Sequence, residues 1–158
     1  MPSSHESIPA LAVDAKSDSL RLIDDQTFET LDRYQMPESD MACSLLSTTL
    51  GETGAGPYYI VGTATTNLAE REPTEGRIMV FEAVEGKLHL VYTHETRGAV
   101  YVLHPFLHND ETMLVAGINS RVQMYRWVGA VAVNCFWLWV RAGVHEALFL
   151  CCIWQVGI

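Results

Sequence analysis

The run Ile78-Met79-Val80-Phe81 and the later run Leu88-His89-Leu90-Val91-Tyr92 decide the fold of this chain. The first run is apolar at every position, which is typical of a strand packed between two neighbouring sheets. In the second run an apolar residue recurs at every second position, so a strand would place Leu88, Leu90 and Tyr92 on one face. The pattern predicts an antiparallel hairpin whose first strand is buried on both sides.

Turn residues separate this hairpin from similar runs on either side. Glu85-Gly86 supplies the positive φ angles of a tight hairpin turn. Asn and Asp, which tolerate left-handed backbone, interrupt the chain at His108–Glu111 and Ile118–Arg121. No segment before residue 128 shows a sustained helical period, so the fold class is all-β, an antiparallel meander. The predicted strands are Leu20–Asp24, Phe28–Gln35, Ala42–Thr49, Tyr58–Ala64, Arg77–Glu82, Lys87–Thr93, Ala99–Leu107, Thr112–Gly117 and Val122–Trp127.

A weak internal repeat indicates how these strands are grouped. Two predicted hairpins, Leu20–Gln35 and Arg77–Thr93, are each followed by a similar third strand. These third strands begin at Ala42 and Ala99, which lie 57 residues apart. Four strands in a unit of that length are typical of a β-propeller blade. Because propellers close with about 4–8 blades, nine strands make about two blades of an incomplete β-propeller, and the chain is expected to be a fragment.

Charge divides the chain into unlike parts. The 158 residues carry a net charge of −9, which argues against an autonomous nucleic-acid-binding protein, because phosphate contacts need clustered Lys and Arg. After Trp127 only Arg141 and Glu146 are charged. We therefore predict three segments: a flexible lead-in over 1–19, a partial β-propeller over 20–127, and an apolar tail over 128–158 that does not resemble the propeller.

The tail leaves three interpretations open. A membrane helix needs about 20 apolar residues, and Arg141 interrupts the run near its middle, so a membrane span is disfavoured. Strands of a third blade are a second interpretation. The third is translated intron or frame-shifted sequence, because an intron that begins with GU and is read in phase gives valine, the residue that follows Trp127.

Enzyme and metal sites are not indicated by the residue pattern. His104 and His108 have helical metal-ligand spacing, but on a strand they would lie about 13 Å apart, too far to share one ion. The glycine-rich segment Gly51–Pro57 has no Lys-Ser/Thr after it, which favours a loop over a phosphate site. We expect no catalytic residue, no metal site and no cofactor, and we expect the four cysteines to be reduced thiols.

Several segments, in order and spacing, resemble a known family. They are Leu22–Glu29, Ser44–Ser47, Tyr59–Ala64, Glu70–Pro73, Gly76–Phe81, Glu85–Leu88, Arg97–Tyr101, Ala116–Ser120 and Val122–Trp127. The family is that of the large subunit of the UV-damaged-DNA-binding protein, and the similar region corresponds to part of the third of its three propellers. A related branch, the A-subunit of the cleavage-and-polyadenylation factor, shares the architecture.

The resemblance implies a function by binding. Family members are adaptors that link substrate-receptor proteins to a cullin–RING ubiquitin ligase scaffold and take part in DNA-damage repair, in the nucleus and also in the cytoplasm. Glu70 and Glu72 match an acidic loop near the receptor-binding clamp of the family, so they are the predicted partner-binding residues. The alternative for this loop is an ordinary solvated charged turn. The alternative for the chain is an RNA-processing subunit of the polyadenylation or splicing branch, associated with nucleic acid.

Overall fold

The computed structural model describes residues 18–52, 57–67, 69–128 and 131–139, and no helix occurs among them. The strands, in chain order, are β1 (Ser19–Ile23), β2 (Thr30–Gln35), β3 (Asp40–Thr48), β4 (Gly51–Glu52), β5 (Tyr58–Thr65), β6 (Gly76–Val84), β7 (Lys87–Thr96), β8 (Val100–His108), β9 (Glu111–Ile118), β10 (Arg121–Val128) and β11 (Val131–Trp139). All strand pairing is antiparallel, so the predicted all-β meander is confirmed.

The strands form three sheets that follow one another along the chain. β1 and β2 form a hairpin, and β3, β5, β6 and β7 form a four-stranded sheet in that order. In the last sheet β9 pairs with β8 on one side and with β10 on the other, and β11 pairs with β10. The short β4 pairs with the Glu111–Thr112 end of β9. This succession of meander sheets is consistent with partial blades of a β-propeller.

Every predicted strand is present, together with two strands outside the nine predicted ones. The turns Glu85-Gly86 and Asn109-Asp110 have positive φ at both residues, as their sequences indicate. The additional strands are β4, inside the glycine-rich segment, and β11, which continues the sheet beyond the predicted boundary at Trp127. That boundary stays a prediction, and residues 1–17 and 140–158 lie outside the described part of the chain.

One prediction about β7 is wrong. Val80 pairs with Tyr92 but Phe81 pairs with Leu90, so Val91 is an extra residue in the strand. This β-bulge switches the alternation of side chains. Leu88 and Leu90 share the face of Phe81, whereas Tyr92 packs on the opposite face with Val80.

The core lies on both faces of the four-stranded sheet, as the uninterrupted apolar run of β6 predicts. One face of β6 contributes Ile78 and Val80 to a cluster shared with the last sheet, which supplies Val100, Ala116 and Tyr125 among others. The other face contributes to a smaller cluster against the β1–β2 hairpin, built from Met36, Val61, Met79 and Phe81. The four consecutive side chains of β6 are at most 2% exposed, so this strand joins two separate interfaces.

Polar contacts fix how neighbouring sheets sit on each other. The Ser44 hydroxyl of β3 donates to the Val100 carbonyl of β8 over 2.8 Å. At the outer strands, the Asp32 carboxylate of β2 accepts from the Leu88 amide of β7 over 2.8 Å, and this bond lowers the pKa of Asp32. These bonds join strands of different sheets. They therefore fix the offset of adjacent sheets along the strand direction as well as the packing of their faces.

A half-buried histidine lies beside the aromatic side chains of the larger core. His94 pairs with Ile78 across β6 and β7, and its ring meets the Tyr125 ring edge-on with the centroids 5.1 Å apart. Tyr92 lies 6.4 Å from it on the same strand. Burial lowers the pKa of His94, and the neighbouring Glu95 carboxylate opposes this effect. The charged imidazolium is therefore disfavoured at the interface between the two sheets.

Close packing at Gly62 gives a first test. A Cβ at this position would meet the Ser44 hydroxyl and lie 2.6 Å from Val100 Cγ1 and 2.7 Å from the Val100 oxygen. We expect Gly62→Ala to lower the free energy of unfolding by about 1–3 kcal/mol, measured by urea denaturation. Gly117→Ala is the milder comparison, because its Cβ would approach Val102 Cβ at 3.3 Å, a close contact that a small shift of Val102 relieves. Equal stability of the two variants would contradict the close packing of β3, β5 and β8.

The depressed pKa of His94 gives a second test. The pKa of His94 is lower in the folded chain than its value of 6.5 in the unfolded chain, so protonation of this imidazole opposes folding. The free energy of unfolding therefore has its full value above pH 6.5 and decreases as the pH falls towards the folded-state pKa. We expect the free energy of unfolding to fall between about pH 7 and pH 5 more steeply in the original chain than in His94→Phe. The same slope in both chains would contradict the half-buried position of this imidazole.

Candidate functional site

Four connections meet at one end of the sheets, which we call the loop end. They are residues 36–39, 66–75, 97–99 and 119–120, which join β2 to β3, β5 to β6, β7 to β8 and β9 to β10. Hydrogen bonds link them: Thr66 donates its amide to the Ser39 oxygen over 2.7 Å, and Asn119 donates its amide to the Ala99 oxygen over 3.0 Å. The predicted site residues Glu70 and Glu72 both lie in the longest of these connections.

Glu70 holds the 66–75 loop closed from inside. One carboxylate oxygen accepts from the Asn67 side-chain amide over 3.3 Å. The other accepts from the Thr74 amide over 3.2 Å and from the Thr74 hydroxyl over 2.9 Å. The Glu70 amide also donates to the Asn67 oxygen over 3.0 Å. The carboxylate of Glu70 is thus engaged within the loop, while the residue remains exposed to solvent.

Arg71 and Glu72 occupy the part of the loop that faces solvent. Both residues are exposed, while Pro73 behind them is half-buried. Both predicted partner-binding residues, Glu70 and Glu72, are therefore exposed, and bonds within the loop engage the carboxylate of Glu70.

Asn119 fastens this loop to the neighbouring sheet. Its backbone has a φ of 50°, in the left-handed region that Asn tolerates. Its side-chain oxygen accepts from the Ala99 amide over 2.7 Å, and its side-chain nitrogen donates to the Pro73 oxygen over 2.9 Å. The sequence pattern indicates Asn119 only as a turn-forming residue. The signal that was missed is that an Asn side chain has both a donor and an acceptor and can join two other loops.

An ion pair anchors the loop end to the sheet below it. Arg77 of β6 contacts Asp40 at the start of β3, and the Asp40 side chain is 0% exposed whereas that of Arg77 is 29% exposed. Thr65 also donates to Asp40 over 3.2 Å, and the Arg77 amide donates to the Thr63 hydroxyl over 3.1 Å. A buried carboxylate with both an ionic and a neutral partner is well satisfied, so Arg77 is held in place.

Beside this pair lies a polar cavity of about 600 Å³. Its lining residues are Thr65, Thr74, Glu75, Gly76, Arg77, Glu95, Thr96 and Arg97. Arg77 pairs with Glu95 in the strand register, so charges of both signs stand next to each other on the sheet. The lining is suited to contact with charged and hydrogen-bonding groups of another macromolecule rather than to an apolar ligand.

The histidines and the cysteine that could bind a metal ion do not form a cluster in the described part of the chain. His104 and His108 both lie on β8. Side chains four positions apart on a strand are about 13 Å apart, which is too far for both to bind one metal ion. No group of three or more His, Cys, Asp or Glu positioned to hold a metal occurs in the described ranges. Cys43 is half-buried, and burial raises the pKa of its thiol. Within the same ranges, no helix is of the length and apolarity that a membrane crossing requires.

Two comparisons with known proteins, with a family model and with individual relatives, point to the same family. Residues 17–134 match the family described as the CPSF A subunit region, which is most of the chain. DNA damage-binding protein 1 of Solanum lycopersicum is 41% identical over 116 residues, covering 73% of this chain and 10% of that protein. DNA damage-binding protein 1a of Arabidopsis thaliana is 43% identical over 109 residues, covering 69% of this chain and 10% of that protein.

These relatives are much longer than the matched region. A third one, DNA damage-binding protein 1b of Arabidopsis thaliana, is 41% identical over 117 residues, which is 74% of this chain and 10% of its own length. The chain thus spans about a tenth of the curated relatives it matches. The resemblance inferred from the sequence is confirmed: this chain belongs to the family of the CPSF A subunit region and of DNA damage-binding protein 1.

Proposed function

We propose that this chain is part of a non-catalytic protein-interaction scaffold whose loop end binds partner proteins. The proposal extends to the role that the family resemblance implies, an adaptor between substrate-receptor proteins and a cullin–RING ubiquitin ligase in DNA-damage repair. Its place of action would be the nucleus and also the cytoplasm. Membership of the family supports the scaffold role, and the relatives' names support the connection with damaged DNA.

The construction of the 66–75 loop carries this proposal. Glu70 satisfies the loop from within, and Asn119 fastens it from the next sheet through the Pro73 oxygen. Arg71 and Glu72 are therefore presented on a backbone that is already ordered. Presentation on ordered backbone lowers the conformational entropy lost on binding, which favours recognition of a protein partner.

Charge favours proteins over DNA as direct partners of this chain. Arg71, Arg77 and Arg97 are interspersed with Glu72, Glu75 and Glu95 at the loop end. The net charge of −9 would repel phosphate groups over the rest of the surface. Any association with damaged DNA would then pass through a bound partner. An RNA-processing subunit with the same architecture is the second candidate, supported by the description of the matching family.

Co-purification from nuclear extract tests the proposal. We expect the tagged chain to retain cullin–RING ligase and receptor subunits, and we expect Glu72→Lys to reduce their recovery at least severalfold without changing the thermal midpoint of unfolding. Loss of a surface charge contact at an ordered site has an effect of this size. Glu85→Lys makes the same charge change in a turn at the opposite end of the strands and is the control.

Two outcomes contradict the proposal in different ways. Recovery of polyadenylation or splicing subunits in place of ligase subunits would favour the RNA-processing branch. Equal recovery with Glu72→Lys and Glu85→Lys would remove the 66–75 loop from the binding surface.

Asn119 gives a test of the ordered loop itself. Asn119→Ala removes the bonds to the Ala99 amide and the Pro73 oxygen, so we expect a loss of about 1–3 kcal/mol in the free energy of unfolding. We also expect faster amide hydrogen exchange in residues 66–75. Asn119→Asp retains the acceptor for Ala99 and should lose less. Unchanged exchange in both variants would show that the loop is ordered without this residue.

A further inference from the structure

The hydroxyl groups of the polar cavity at the loop end can accept hydrogen bonds but have no proton left to donate. The threonines that line the cavity are Thr65, Thr74 and Thr96. Thr65 donates to the Asp40 carboxylate over 3.2 Å, and Thr74 donates to the Glu70 carboxylate over 2.9 Å. Thr96 donates to the Gly98 backbone oxygen over 2.8 Å. Because a hydroxyl has a single proton, each of these oxygens offers only lone pairs to a group that enters the cavity.

Two carboxylates add to these acceptors. Glu75 and Glu95 line the cavity and are exposed. Among the residues that the structure describes, neither of them forms an ion pair. A carboxylate accepts hydrogen bonds and donates none. The wall of the cavity therefore combines three hydroxyl acceptors with two anionic ones.

The two arginines of the wall do not cancel this character. Arg77 contacts Asp40, whose side chain is 0% exposed, so its positive charge is matched by a buried negative charge. Arg97 is then the one remaining cation of the lining, and it stands against two carboxylates. The nearby part of the 66–75 loop contributes two further negative charges and one positive charge, from Glu70, Glu72 and Arg71. The local balance of charge is negative and favours a cation.

The acceptors are held in position by the backbone around Gly76. A Cβ on Gly76 would overlap the backbone oxygens of Thr63 and Gly98 and lie 3.1 Å from the Thr96 hydroxyl oxygen. The Arg77 amide next to it donates to the Thr63 hydroxyl over 3.1 Å. The strands β5 and β6 and the turn after β7 therefore meet without a gap. A ligand would find the acceptors already placed, which reduces the entropy lost on binding.

We propose that this cavity binds an arginine side chain of a partner protein, an inference that rests on the proposed function of the loop end. A guanidinium has five N–H donors, no acceptor and a permanent positive charge, so it matches a wall of acceptors with a negative balance. A phosphate or carboxylate group would be repelled by Glu75 and Glu95. The cavity volume of about 600 Å³ is sufficient to enclose the whole side chain.

Titration of the isotope-labelled full chain with N-acetyl-arginine amide, followed by nuclear magnetic resonance, tests this inference. We expect saturable shifts of the Thr74, Gly76 and Arg97 amide signals, with a dissociation constant of about 1 mM at low ionic strength. N-acetyl-citrulline amide has nearly the same shape without the charge, and it should bind about tenfold more weakly or less well still. N-acetyl-lysine amide should lie between them, because an ammonium has three donors and is more strongly hydrated.

Three variants assign the binding to the acceptors. Glu75→Gln combined with Glu95→Gln keeps the side-chain shape, and we expect it to weaken binding of the arginine compound by about tenfold or more. Arg97→Gln removes the competing cation and should strengthen binding by about two- to fivefold. Glu85→Gln makes a like charge change at the opposite end of the strands and is the control, with unchanged binding. All these side chains are exposed, so the thermal midpoints should stay the same.

Three results would overturn the inference. The first is the absence of saturable shifts with the arginine compound. The second is equal binding of the citrulline compound, or of the arginine compound by the double glutamine variant. The third is binding of N-acetyl-glutamate amide or inorganic phosphate at the same signals, lost in Arg97→Gln, which would make the cavity an anion site.

The titration contains no partner protein, so its outcome is separate from that of the co-purification. Recovery of partner proteins without arginine binding would contradict this inference and leave the loop end as a binding surface. Arginine binding without recovery of partner proteins would contradict the proposed function alone.

Discussion

Burial of β6 on both faces is the constraint on which the rest of the structure depends. A strand with Ile78 and Val80 on one side and Met79 and Phe81 on the other is unstable unless apolar surfaces cover both sides. In this chain the β1–β2 hairpin covers one side and the last sheet covers the other. The succession of sheets along the chain therefore follows from four consecutive apolar residues, and so does the separation of the core into two clusters.

Apolar burial alone would leave the sheets free to slide, and the polar contacts between them remove that freedom. Ser44 joins the inner strands of adjacent sheets, Asp32 joins the outer strands, and Asn119 joins the connections at the loop end. Hydrogen bonds are directional, whereas apolar contacts tolerate displacement. The position of the 66–75 loop relative to its neighbours is thus fixed by a few specific bonds.

The sequence was sufficient to predict the strands because their signals are local. Alternating apolar residues and Asn, Asp or Gly turns are read within a short window, and the turns at Glu85-Gly86 and Asn109-Asp110 have the expected left-handed backbone. The bulge at Val91 was not predicted, because it depends on the pairing of β7 with β6 rather than on the residues of β7. The pairing of Gly51-Glu52 with β9 likewise joins residues about sixty positions apart, which no local pattern indicates.

The candidate site shows the same division between local and distant determinants. The resemblance located Glu70 and Glu72 in a loop, whereas the bonds from Glu70 to Asn67 and Thr74 are visible only in the folded loop. Asn119 was recognised as a turn residue, yet its contact with Pro73 spans 46 positions in the chain.

The turns at the two ends of the sheets share one chemical design. At one end Asp24 accepts from residues two and three positions ahead, and at the other Glu70 accepts from Thr74, four positions ahead. In each case an acidic side chain satisfies backbone donors inside the loop, and a nearby residue, Phe28 or Glu72, is left facing solvent. These bonds are local, and the 66–75 loop is in addition fastened to the neighbouring sheet by the bond from Asn119 to the Pro73 oxygen.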